Sequence, residues 1–143
     1  MALPTPAPGL VICYSYLWSQ ERREGAHEGR KNRPCAVVVA AADEDGDIRV
    51  YVAPTTHSKP NDPHAVELPA AAKRRLSLDD APSWIVTSEL NRFVWPGYDL
   101  RPIARDKPDT FAWGFLPTEV FAAVKRGIGL HQHARRLKLT GRE

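Results

Sequence analysis

The sequence predicts a mainly β fold: a small antiparallel sheet or barrel, with a C-terminal α-helix packed on it and one short additional helix. Three observations predict it. Residues 10–18, LVICYSYLW, alternate between two faces as a strand does. Residues 34–55 read as two apolar strands joined by an acidic turn. Thirteen prolines and nine glycines in 143 residues break the chain too often for a helical bundle. The length argues for one domain with one real core.

Each element follows in order. Residues 1–9 are a proline-rich lead-in. In the first strand Leu10, Ile12, Tyr14, Tyr16 and Trp18 share one face, and Val11, Cys13, Ser15 and Leu17 share the other. Residues 19–32, SQERREGAHEGRKN, are polar throughout and are predicted to be a long mobile loop, of a length that is usually functional or disordered. Residues 34–42, PCAVVVAAA, are almost wholly apolar, which predicts a central strand buried on both faces. Pro34 opens it, where a missing N–H does least harm. Asp43–Asp47 supplies the turn, with Gly46 free to take positive φ, and residues 48–55 complete a hairpin. A second polar loop, residues 56–65, leads to a short strand near Val66–Leu68. Pro69 opens one or two helical turns through Leu76. Ser83–Leu90 is a strand that bends on toward Trp95, and Phe111–Leu116 is a last short one. Pro117–Ile128 is the best helix: Glu119 suits its first turn, Lys125 and Arg126 its end, and Phe121, Val124 and Ile128 form its core stripe. Gly127 and Gly129 are expected to end it. The domain is therefore drawn as residues 1–129, followed by a mobile basic tail, 130–143.

Composition excludes several function classes. No apolar run approaches the ~18 residues of a membrane span, and the N-terminus has neither the basic start nor the apolar stretch of a secretory signal. Cys13 and Cys35 lie on predicted buried strands and read as small core hydrophobes. A cytoplasmic protein is expected. The sequence has no glycine-rich phosphate loop, no CxxC and no HExxH. His131 and His133 offer two imidazoles, too few for a metal centre, so neither metal nor cofactor is predicted. The charge is +3 overall, but +5 from Lys125 onward and −2 before it. Local basic clusters of this kind are compatible with a polyanion partner.

The candidate chemistry lies in the two polar loops. Glu28–Pro34 enters the hairpin and Pro54–Pro60 leaves it, and the connecting turn is at the far end. Arg33 and Thr56 should therefore be neighbours at one open rim. A guanidinium binds phosphate oxygens with a rigid fork of donors. Hydroxyls add neutral donors, and His57 can move protons near neutrality. Glu28 can act as a base or orient Arg33. Arg33, Thr56, Glu28 and His57 are thus the candidate catalytic residues for cleaving an RNA phosphodiester without a metal. Arg30, Lys31, Thr55, Ser58 and Lys59 surround them as candidate RNA-binding donors. The same residues also read as a surface arginine in an ordinary polar loop.

The order Glu28-x-x-x-x-Arg33-Pro34, the strand CAVVV, then Pro54-Thr55-Thr56-His57 and Ser83-Trp84-Ile85-Val86 resembles the MazF/PemK toxin family over residues 8–128. Pro8-Gly9-Leu10-Val11 is similar to the family's opening. The resemblance implies an SH3-like barrel with a C-terminal helix. It implies a homodimer that cleaves single-stranded RNA and is inhibited by a cognate antitoxin. It maps the family's catalytic Arg onto Arg33, its Thr onto Thr56 and the acid of the Arg-Pro motif onto Glu28. Three positions depart: Ser88 stands at a family Asp, Glu89 at a Gln and Leu10 at the opening Asp. Ser88 favours a second reading, the same barrel binding RNA or protein without cutting. A third is the same barrel acting on another target.

Overall fold

The structure, a computed structural model, describes residues 3–26, 29 and 31–142. It is mainly β, a strongly curled half-barrel of antiparallel strands with three helices, one of them C-terminal. Glu28 and Arg30 lie outside the described residues. The strands are β1 (Leu10–Tyr14), β2 (Arg33–Ala42), β3 (Ile48–Thr56), β4 (Val66–Glu67), β5 (Trp84–Ile85), β6 (Glu89–Val94), β7 (Ala112–Phe115) and β8 (Lys138–Gly141). The helices are α1 (Ser19–Arg23), α2 (Ala70–Arg75) and α3 (Thr118–His133). Along the sheet the order is β4-β5-β3-β2-β1-β7. β6 also pairs with β3, through Arg49–Val52, while β5 takes the far end of β3 at Thr55 and Thr56. One strand thus feeds two partners, which curls the sheet.

The predicted hairpin is β2–β3. Its register sets Cys35 opposite Pro54 and Ala42 opposite Ile48, with a bulge at Val38. At the turn, the Asp43 carboxylate accepts from the backbone N–H of Asp45 (2.9 Å) and Asp47 (3.1 Å), and Gly46 takes φ +83°. Because neighbouring residues point to opposite faces, the central strands feed two cores. Val11, Ala36 and Ala53 face α3, packing with Val120, Val124 and Ile128. Ile12, Tyr14, Cys35, Val37, Val50 and Val52 face the other way, with Phe93 and Leu100. Cys13 and Cys35 are buried free thiols, and burial pushes Cys13 up to about 11.

Three expectations need correction. The segment 19–32 is not loop throughout: its first residues form α1, whose start is fixed by the Trp18 N–H donating to Glu21 Oε1 at 3.0 Å. The stretch Ser83–Leu90 is two short strands, β5 and β6, separated at residues 86–88. Most instructive is the C-terminus. α3 runs through both Gly127 and Gly129 to His133. Gly127 is a point of close approach, not a stop: a Cβ there would come within 2.7 Å of the His64 carbonyl oxygen and 2.9 Å of Thr87 Oγ1. The chain then turns at Arg135 (φ +59°) and β8 runs parallel to β6. Arg142, predicted to be in a mobile tail, is buried: its guanidinium lies 3.0 Å from Asp99 Oδ2, and Nη1 donates to the Ser15 carbonyl (2.7 Å) and Asn91 Oδ1 (3.0 Å). The basic tail is therefore part of the sheet. Among the described residues no helix is long and apolar enough to cross a membrane.

Candidate functional site

The open rim of the hairpin lies where the turn chemistry predicts it. β1 and β2 pair Tyr14 with Arg33, and continuing the Cys35–Pro54 register brings Arg33 opposite Thr56. Arg33 Nη1 donates to the Thr55 carbonyl at 3.0 Å, which pins the guanidinium to the rim. Its plane lies over the Trp18 ring, 5.0 Å from the centroid. Arg33 Nε is buried and has no hydrogen-bond partner among the described residues.

Arg33 lines two pockets, and a third shares Trp18 with one of them. The largest, about 500 Å³, is lined by Trp18, Thr56, Ser58, Lys59 and Glu89, among others. A second, about 480 Å³, is lined by Trp18, Lys31 and Arg33. A third, about 380 Å³, is lined by Arg33, His57, Asp79 and Trp113. Arg33 therefore borders the His57 pocket directly and the Thr56 cleft across Trp18.

The adjacent residues of the strand end have separate fates. Thr55 is buried and its hydroxyl donates to the Pro34 carbonyl at 2.7 Å, a lock between β2 and β3 that leaves no donor for a ligand. Thr56 points to the cleft, and its oxygen accepts from the Ser58 N–H at 3.2 Å. His57 turns to the opposite side. Its Nδ1 lies 3.0 Å from both the Pro82 carbonyl and Ser83 Oγ, and Nε2 lies 3.2 Å from Asp79 Oδ2. Behind it Lys73, a buried ammonium, donates to Asp79 Oδ1 (3.0 Å), Ser83 Oγ (2.8 Å) and the Ala81 carbonyl. The Lys73 hydrogen bond, more than the His57 charge, holds the Asp79 carboxyl below its usual range. Thr56 and His57 are neighbours in sequence but open to different pockets.

The structure also supplies residues that sequence reasoning missed. Alternation puts Trp18 on a strand face, yet it lines two of the three pockets. An aromatic at the point where a strand enters a charged loop was the available signal. Glu89 lines the Thr56 cleft. Its carboxylate accepts from Tyr16 Oη (3.1 Å) and from the Ser19 N–H (2.9 Å). Asp62 touches the same cleft but is drawn inward, with Oδ1 2.7 Å from His131 Nε2. His131 is thus the buried partner of a carboxylate. Among the described residues no three of His, Cys, Asp or Glu gather as metal ligands would.

No protein-family model matches the chain, and no curated protein matches its sequence. What the rim can do must be read from its own atoms.

Proposed function

We propose that the chain is a metal-independent endoribonuclease of the toxin type, cutting single-stranded RNA at the rim of the β2–β3 hairpin. The observation that carries this reading is the placement of Arg33. Its guanidinium is anchored by the Thr55 carbonyl and Trp18, and it lines the histidine pocket directly, with the Thr56 cleft on the far side of Trp18. A phosphate seated in the His57 pocket meets Arg33 and His57, and the strand continues past Trp18 to the Thr56 hydroxyl in the adjoining cleft. The ribose 2′-oxygen loses its proton and attacks phosphorus, and the 5′-oxygen leaves with a proton. The products are a 2′,3′-cyclic phosphate and a free 5′-hydroxyl. Arg33 stabilises charge developing on the phosphorane oxygens. Thr56 donates to a phosphate oxygen of the strand where it enters the adjoining cleft. His57 transfers protons once Nε2 leaves Asp79, a release that costs under about 1 kcal/mol because the pair is largely exposed. Glu28 is the further acid that the resemblance assigns.

The test is RNA incubated with the protein in excess EDTA. Wild type should give discrete fragments with 2′,3′-cyclic ends, and Arg33→Ala should lose about 100-fold or more in rate. Cleavage undiminished in Arg33→Ala, or a requirement for Mg²⁺, overturns the mechanism. One observation favours the second reading, binding without cutting. Ser88 stands in the cleft where a carboxylate would be, and both Glu89 and Asp62 already have protein partners. Intact RNA that is retarded in a gel would support it. The resemblance further implies a homodimer and an antitoxin partner. Light scattering should then report twice the 15.9 kDa chain mass, and a clean monomer would remove the dimer.

A further inference from the structure

We infer that Trp18 is a nucleobase-stacking platform, and that the C-terminal strand supplies part of the phosphate-binding wall beside it. The inference rests on the RNA reading for the identity of its ligand. It goes beyond that reading in adding Trp18, Arg23 and Lys138, outside the Arg33–Thr56 rim, to Lys59.

The first observation is the position of the indole. Trp18 is half-buried and lines both the 500 Å³ cleft and the 480 Å³ pocket, so a chain passing between them must cross it. The Arg33 guanidinium lies over the ring, 5.0 Å from its centroid, and the Tyr16 ring makes a T-shaped contact with it at 5.0 Å. A ring held in this way is rigid before any ligand arrives. Aromatic platforms of this kind bind single-stranded bases without regard to sequence, because every base has a π-face.

The second observation is the electrostatics of the cleft. Its two carboxylates are turned inward: Glu89 is held by Tyr16 and Ser19, and Asp62 by Thr87, His64 and His131. Its three cations do the opposite. Arg23 of α1, Lys59 of the loop after β3 and Lys138 of β8 are all exposed, and none forms an ion pair with another described residue. A ligand entering the cleft meets the three exposed cations first, because both carboxylates are less exposed and turned toward protein donors. Bases on the indole and phosphates on Arg23, Lys59 and Lys138 describe a single-stranded nucleic acid.

A fluorescein-labelled hexathymidylate with 2′-deoxyribose sugars tests this. It has no 2′-hydroxyl, so the proposed cleavage cannot consume it. Wild type should bind it. Trp18→Ala should bind about tenfold more weakly or worse, with Trp18→Phe intermediate. In the Lys59→Gln, Lys138→Gln double variant, the slope of log K against log salt should shrink by roughly 1.4, about 0.7 for each single-strand phosphate that is no longer neutralised. Both lysines are exposed, so the double variant decides the matter even if Trp18→Ala does not fold. No binding by wild type, wild-type binding by a folded Trp18→Ala, or an unchanged slope would each overturn the inference. Its failure is separable from that of the nuclease. Uncut RNA with these binding effects intact removes the cleavage reading alone. Cut RNA with binding indifferent to Trp18 and the lysines removes the platform alone.

Discussion

The polar loop 56–65 has two ends, and they behave oppositely. At the start, Thr56 opens to one pocket and His57, beside Arg33, to another. At the other end, Asp62 closes every bond it can. It accepts from the Thr87 N–H (2.8 Å), from Thr87 Oγ1 (3.1 Å), from the His64 N–H (2.9 Å) and from His131 Nε2 (2.7 Å). Its side chain is 2% exposed. Burial alone opposes its ionisation, yet these hydrogen bonds hold its carboxyl below the usual range. A buried network fixes α3 to the sheet, while an exposed one can exchange its partners for a ligand. Polar residues at the closed end are architecture, and those at the open end are available for chemistry.

The largest effect should come from breaking the closed end. Asp62→Ala strips the partner from His131, from Thr87 and from the turn at His64. Removing one member of a buried pair of this kind should cost about 3 kcal/mol, or about 10 °C in Tm for a chain of this size. The pH dependence has a definite sign. A carboxyl whose folded pKa is depressed contributes fully above its unfolded value, about 3.9, and the contribution fades as pH falls through the folded one. The stability gap between wild type and Asp62→Ala should therefore be complete at pH 6 and should narrow below about pH 4. A gap of equal size at both would mean that ionised Asp62 is not what holds the helix.

The contrast between local and distant partners also explains how much could be read from the residues alone. The hairpin, its acidic turn and the meeting of Arg33 with the end of β3 were legible because they are local: alternation and one turn fix the register. The sheet's helix partner was legible from the spacing of Val124 and Ile128. The C-terminus was not. Gly127 and Gly129 look like a helix stop until His64 and Thr87 are known to press against the first of them. The pairing of Asp62 with His131 spans 69 residues, and that of Arg142 with Ser15 spans 127. No local pattern announces either. The separation of Thr56 from His57 was hidden for another reason. Thr56 still pairs in β3 with Trp84, while His57 is turned away by Lys73, Asp79 and Ser83, partners brought in by α2 and the segment before β5.

The open end should respond in the reverse manner: little in stability and much in chemistry. His57 and Asp79 are 56% and 60% exposed, so His57→Ala should change unfolding free energy by less than about 1 kcal/mol. If His57 moves protons at Arg33's pocket, the same change should slow RNA cleavage by about 100-fold, within the usual range for a lost acid or base. It should also erase the limb of the pH–rate profile that an imidazole contributes. Asp79→Asn is the sharper companion, since it keeps the ring but removes the carboxylate at Nε2. It should leave cleavage at or above the wild-type rate, because the ring no longer has to leave that carboxylate before it acts. A His57→Ala protein with wild-type stability and an unaltered profile would place His57 on the structural side of the comparison. The open end would then consist of Arg33, Thr56 and Trp18.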